Sequence, residues 1–176
     1  MHKVNLTINR TNSGFSMIEL MVTLALAAIL LGMALPAFNG MMTQRVMTTQ
    51  VNDLVVAVHY ARSEAVKLGG LVTVQAVDEG DEDNEWGPGY CVVIGDPGNC
   101  DNPLRVFTVD DDVTLDATGI LNDEDSFSFN GRGLLTLDGD DGTFQLCSTD
   151  ANIDPGRIVE INTIGRTTSR ELVCNP

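Results

Sequence analysis

The chain has 176 residues, with 25 Asp and Glu against 10 Lys and Arg and a formal net charge of −15. That length suits one globular domain plus an extra element and excludes a second full domain. Between Asp78 and Asp154 the only cations are Arg105 and Arg132. A surface this acidic stays soluble and repels nucleic acid and anionic lipid, so broad DNA binding through this region is disfavoured and a solvated acidic face is the simplest reading.

Residues 1–14 are polar and carry Lys3 and Arg10 but no acid. From Phe15 the chain turns apolar, and the nineteen residues Leu20–Phe38 hold no charge. As a helix that run spans about 28 Å, close to the hydrocarbon thickness of a bilayer. The positive leader predicts a cytoplasmic N-terminus with the rest of the chain outside. A cleaved signal peptide fits less well, because the run is long and Pro36-Ala37-Phe38-Asn39-Gly40 does not complete a small-residue cleavage site. The segment is expected to be retained.

Helical patterning continues beyond it. Val51, Leu54, Val55, Val58, Ala61, Ala65 and Leu68 recur at three- and four-residue steps, opposite Asn52, Asp53, Arg62, Glu64 and Lys67. Gly69-Gly70 supplies a stop. One helix from Phe15 to Leu68 is far too long for a globular core, and makes sense if its first half lies in lipid and its second half packs on a head. Pro36 is expected to bend or locally melt it.

After Gly70 the pattern changes to short strands separated by turn residues. The predicted strands are Leu71–Val77, Tyr90–Ile94, Leu104–Val109, Ser126–Phe129, Leu134–Leu137, Thr143–Cys147, Arg157–Asn162 and Thr167–Val173. The fold class is therefore α+β: a long N-terminal helix, transmembrane in its first half, packed on an antiparallel β-sheet head. The expected organisation is a leader at 1–14, a transmembrane helix at 15–38, the outer half of the long helix at 39–70 and a β-rich head at 71–176.

Cys91, Cys100, Cys147 and Cys174 all follow the apolar segment, none in a Cys-x-x-Cys pair and none with a histidine at a zinc-like spacing. An even count in an exported region predicts disulfides in an oxidising compartment. Three pairings are possible. Cys91–Cys100 with Cys147–Cys174 is favoured, since each pair brackets a hairpin or a terminal strand, and closing such loops stabilises by about 3 kcal/mol each in the chain-entropy picture.

The junction reads Ser13-Gly14-Phe15-Ser16-Met17-Ile18-Glu19-Leu20, with one carboxylate at the start of an uncharged run. Placing a carboxylate inside a membrane costs about 3 kcal/mol on insertion scales, so Glu19 needs a partner or a role. Gly14 to Leu20 resembles the leader junction of type IV prepilins and type II secretion pseudopilins, and the fold is expected to be pilin-like. The resemblance implies cleavage between Gly14 and Phe15 by prepilin peptidase, N-methylation of Phe15, and pairing of Glu19 with the Phe15 amine of a neighbouring subunit during assembly. Pro36 falls where members of this superfamily commonly carry a helix-bending proline.

Further along, Ala61-Arg62-Ser63-Glu64-Ala65-Val66-Lys67-Leu68-Gly69, Trp86-Gly-Pro-Gly-Tyr90, Phe129-Asn-Gly-Arg-Gly133 and the late Gly165-Arg166 resemble the FimT/FimU and GspH branch. Members of this branch are minor subunits that resemble tip or priming components. The implied partners are prepilin peptidase, other minor pilins or pseudopilins, the major pilin and the inner-membrane assembly platform. The implied location is the inner membrane, single-pass, with the head in the periplasm and the subunit joining the pilus or pseudopilus after assembly. Pilus biogenesis and protein secretion are not separated by these residues. Some relatives aid DNA uptake through Gly-Arg-x-Arg. Here Gly165-Arg166-Thr167-Thr168 lacks the second arginine, although Arg157, Arg166 and Arg170 make the tail locally positive, so DNA contact stands as the alternative.

No cofactor and no metal is expected. The acidic runs Asp78–Glu85 and Asp138–Asp141 are rich in oxygen ligands but follow no EF-hand spacing. Catalysis is not expected either: no Gly-x-Ser-x-Gly elbow or phosphate-binding glycine loop occurs, and past the leader His59 is the one histidine, beside the apolar stripe.

Overall fold

The computed structural model describes residues 14–77, 86–98, 100–119, 121, 125–136, 142–150 and 153–174, apart from the side chains at 34–39 and 119. Its one long helix, α1 (Met17–Leu68), belongs to two compact units that meet between Asn39 and Gly40.

In the first unit, α1 starts at a cap. Ser16 Oγ accepts the Glu19 N–H at 3.2 Å, and the first helical hydrogen bond runs from Leu20 N–H to Ser16 O at 3.1 Å. Beyond it the helix is apolar on every side: Phe15 is 82% exposed, and Met17, Ile18, Leu20, Met21, Val22, Leu24, Leu26, Ile29, Leu30, Leu31 and Met33 are exposed with it. The hydroxyl of Thr23 donates to Leu20 O at 2.9 Å, so this polar group is satisfied within the helix itself. Covering these twelve large side chains would gain roughly 20–35 kcal/mol, and an exposed apolar surface this extensive marks a site of interaction with another apolar surface or a membrane. The helix continues through position 36 and does not melt at the proline.

Among the described residues no helix is long and apolar enough to cross a membrane. The transmembrane first half expected at 15–38 is therefore not shown. The end of that run, 34–39, has its side chains outside the described residues.

In the second unit, α1 buries Met47, Val51, Leu54, Ala57, Val58, Ala61 and Ala65, one stripe at three- and four-residue spacing. Val55 is partly buried and Leu68, expected on the stripe, is exposed because the helix ends there. The Gly70 N–H closes back onto Ala65 O at 3.2 Å, with Gly69 at positive φ, as in a Schellman cap.

The stripe shares one core with two four-stranded antiparallel sheets. The first sheet orders its strands β3 (Arg105–Phe107), β2 (Tyr90–Ile94), β1 (Val72–Ala76) and β5 (Ser126–Phe129), and the second orders β4 (Val113–Gly119), β6 (Gly142–Ser148), β7 (Gly156–Ile161) and β8 (Thr167–Leu172). Strand β1 is buried along its whole length. Its polar positions are matched: Thr73 Oγ1 donates to Gly95 O at 2.6 Å and lies 2.7 Å from Ser128 Oγ, and Gln75 Oε1 accepts the Gly98 N–H at 3.0 Å. The loop after β2 thus folds back over the outer face of the sheet.

Trp86 joins the two sheets. It is fully buried, meets Phe144 edge-on at 5.0 Å and Phe127 at 5.9 Å, and its main-chain N–H donates to Leu115 O at 3.2 Å. Tyr90 stacks on its register partner Phe107 at 5.1 Å.

The architecture differs from the single sheet of the sequence reading in two places. Val113–Gly119 is a full strand, alternating buried Val113, Leu115 and Ala117 with half-buried Thr114, Asp116 and Thr118, and it was hidden by the acidic residues on either side. Leu134–Leu137 is not a strand among the described residues. Leu135 makes one bridge to Phe129, and its N–H goes to Thr163 O instead of a neighbouring strand.

The Tyr90 hydroxyl is buried with no hydrogen-bond partner among the described residues. Burial pushes its ionisation well above the ordinary tyrosine range, Asp53 adds to the rise and Arg105 opposes it. A raised folded-state value favours folding below the unfolded value near 10, and that contribution is lost as pH climbs past it. Tyr90→Phe is expected to keep or slightly raise stability at neutral pH and to weaken the alkaline loss, in guanidinium titrations followed by circular dichroism. A cost above about 1 kcal/mol at neutral pH would show that the hydroxyl has a partner.

Candidate functional site

The site expected from the sequence lies at the start of α1. Gly14 and Phe15 precede the helix, with Phe15 exposed and Gly14 in open space. Glu19 is the acid of the first turn, where the positive end of the helix dipole favours a carboxylate. Ser16-Met17-Ile18-Glu19 has the spacing of a capping box, and the Ser16 half of it forms. Ser16 is a positioning residue that the sequence reading passed over, although the Ser-x-x-Glu signal was there. By holding the Glu19 N–H it fixes where the helix begins and so where the carboxylate sits relative to Phe15. Glu19 is itself exposed, among the apolar side chains described above, and among the described residues no cation pairs with it. The Pro36 side chain lies outside the described residues.

Away from that end, the four cysteines form two disulfides, Cys91–Cys100 with Cα atoms 6.1 Å apart and Cys147–Cys174 at 5.9 Å. The first pins the loop that covers β1. The second ties the segment after β8 to β6, across β7 at Gly156, where any side chain would run into the Cys174 sulfur.

The arginines named for DNA contact differ in their surroundings. Arg157 pairs with Glu171 at 3.0 Å and Arg170 pairs with Glu160, both on the β7–β8 ladder, while Arg166 lies on the turn between those strands. His59 is exposed on α1. The acidic runs Asp78–Glu85 and Asp138–Asp141 lie outside the described residues. Among the described residues no group of three or more His, Cys, Asp or Glu is placed to hold a metal ion.

The start of α1 presents the Glu19 carboxylate among exposed apolar side chains, in the turn that the Ser16 cap begins.

Residues 50–165 match the family described as "Type II transport protein GspH", and residues 9–35 match the "Prokaryotic N-terminal methylation motif". Among solved structures, the type IV minor pilin FimU of Pseudomonas aeruginosa is similar in two crystal forms. Both align at a TM-score of 0.56 with 26% identity over 70% of this chain, covering 91% and 87% of the FimU chains. The minor pseudopilin EpsH from the Type 2 Secretion System of Vibrio cholerae aligns at a TM-score of 0.47 with 16% identity, over 72% of this chain and 95% of that one. No curated protein matches the sequence.

Removing the cap tests the positioning role. Ser16→Ala is expected to cost about 1 kcal/mol at the helix start. Hydrogen exchange at the Glu19 amide should then speed up by roughly fivefold in the detergent-solubilised chain, with exchange at Leu54 unchanged.

Proposed function

The chain belongs to the GspH family of type II transport proteins and is a minor pilin or pseudopilin, and from that premise we propose that it primes or tips a type IV pilus or a type II secretion pseudopilus. The family is one of structural subunits, and the chain works in this reading by polymerising. The carrying observation is the first unit of α1: an apolar surface on every side with one carboxylate in its first turn.

Before assembly that surface is covered by lipid. The leader, residues 1–14, stays cytoplasmic, residues 15–38 cross the inner membrane, residues 39–70 continue the helix into the periplasm, and residues 71–176 form the periplasmic head. Prepilin peptidase cuts between Gly14 and Phe15, and the new amine is methylated. During assembly the same surface packs against neighbouring subunits. Glu19 then accepts the Phe15 ammonium of the adjacent subunit. In an apolar filament core each charge alone is costly, by several kcal/mol, and pairing offsets much of that cost. The pair therefore sets axial register more than it adds affinity. Pro36 serves as a bending point of the helix in the filament. The partners in this reading are other minor pilins or pseudopilins, the major pilin and the inner-membrane assembly platform.

The alternative, DNA uptake through Arg157, Arg166 and Arg170, draws less support. Two of the three are engaged by Glu171 and Glu160, and the chain carries a net charge of −15.

Two variants separate processing from assembly. Gly14→Ala is expected to accumulate at the unprocessed size on an immunoblot. Glu19→Ala is expected to be processed, with its incorporation into sheared filaments or a pseudopilus reduced by about tenfold or more, as an unpaired buried ammonium implies. Ordinary incorporation of Glu19→Ala would contradict the pairing.

A further inference from the structure

Two turns in the head are built alike. In Asn130-Gly-Arg-Gly133 the Gly133 N–H donates to Asn130 O at 2.8 Å, and Asn130 Oδ1 accepts the Arg132 N–H at 2.9 Å. In Asn162-Thr-Ile-Gly165-Arg166 the Gly165 N–H donates to Asn162 O at 2.7 Å, and Asn162 Oδ1 accepts the Arg166 N–H at 2.8 Å. The Leu135 N–H, donating to Thr163 O at 2.9 Å, ties one turn to the other.

Both turns back onto one side chain. Gly133 and Gly165 have φ of 73° and 70°. A Cβ at Gly133 would sit 3.2 Å from Arg62 Nε, and one at Gly165 would sit 3.0 Å from Arg62 Cδ. The half-buried stem of Arg62 thus lies in a slot that only two glycines leave open, with the exposed Arg132 and Arg166 next to those glycines. Among the described residues the ion pairs are Lys67–Glu64, Arg157–Glu171 and Arg170–Glu160. Arg62, Arg132 and Arg166 are in none of them, in a chain with 25 acids for 10 bases. Exposed aliphatic side chains lie beside them: Val66 on α1, which also abuts Gly133, Leu134 after the first turn and Ile164 in the second.

We propose that this corner, Arg62 with Arg132 and Arg166 among Val66, Leu134 and Ile164, docks a carboxylate-rich segment of a neighbouring protein subunit. Guanidinium groups match carboxylates with two parallel hydrogen bonds, and Arg62 is already ordered by its slot, which lowers the entropic cost of binding. Arginine beside exposed aliphatic surface is the make-up of a protein interface. Nucleic acid fits less well, since a long polyanion also meets the repulsion of the acidic head. The proposal rests on reading the chain as an assembling subunit and names a surface that subunit uses. Its test needs no filament, so its failure leaves the outcome of Glu19→Ala standing.

The test is fluorescence anisotropy with labelled hexaglutamate and labelled oligothymidylate, on the full processed chain in a neutral detergent at low salt. Hexaglutamate is expected to bind. Arg62→Gln, and the double variant Arg132→Gln with Arg166→Gln, should each weaken it by about tenfold or more, while Arg157→Gln and Arg170→Gln leave it unchanged. The double variant sits on exposed turn positions, so it decides the matter if Arg62→Gln lowers the melting temperature. Three results overturn the proposal: no hexaglutamate binding, equal losses in Arg157→Gln or Arg170→Gln, or tighter oligothymidylate binding that depends on the same three arginines.

Discussion

One helix has to satisfy two solvents. Up to Met33 the described part of α1 is apolar around its whole circumference, and from Met47 it is apolar along one stripe. A stripe can be buried by a head domain, and here two sheets do so. A fully apolar cylinder cannot be buried that way by a single chain of this size. In the function proposed above, hydrocarbon covers it before assembly and neighbouring helices cover it afterwards. The rest of the molecule follows from that division: a compact second unit with its own core, and a helix start whose Glu19 has no ion pair among the described residues.

The head meets its own constraint with aromatic packing and covalent links. Trp86 sits where the sheets meet, with Phe127 and Phe144 against it, and a main-chain hydrogen bond to Leu115 holds its turn to the second sheet. The two disulfides brace opposite sheets, one at the loop over β1 and the other at the chain's end. Polar groups on the buried central strand are spent on that loop. Among the described arginines of the strands and turns, Arg157 and Arg170 are paired along β7–β8, Arg105 lies over the Phe107 ring, and Arg132 and Arg166 flank the glycines that abut Arg62.

The long helix, its stop at Gly69 and seven of the eight strands were legible in the sequence, because periodicity reports burial directly and the turn residues punctuate it. The GspH-type motifs were legible too, and the structure supplies reasons for them: the tryptophan of Trp86-Gly-Pro-Gly-Tyr90 joins the sheets, and of the glycines after Phe129, Gly131 lets the turn approach the Gly69 backbone and Gly133 makes room for Arg62. Strand β4 was missed because three aspartates precede it, and acidic runs read as loop although Val113, Leu115 and Ala117 alternate cleanly. The split into two sheets was not readable, since pairing partners far apart in sequence leave no local trace. Ser16 was overlooked in the shadow of Glu19. The slot around Arg62 depends on two turns about thirty residues apart in the sequence and could be seen only once they were side by side.

The most direct check on the whole account is the intact mass and N-terminal sequence of the chain recovered from membranes of cells that express it with its own peptidase. The account predicts a polypeptide that begins at Phe15 and carries one added methyl group on its amine. A chain that begins at Met1, or one cut after Phe38 within the reach of an ordinary signal peptidase, would contradict it.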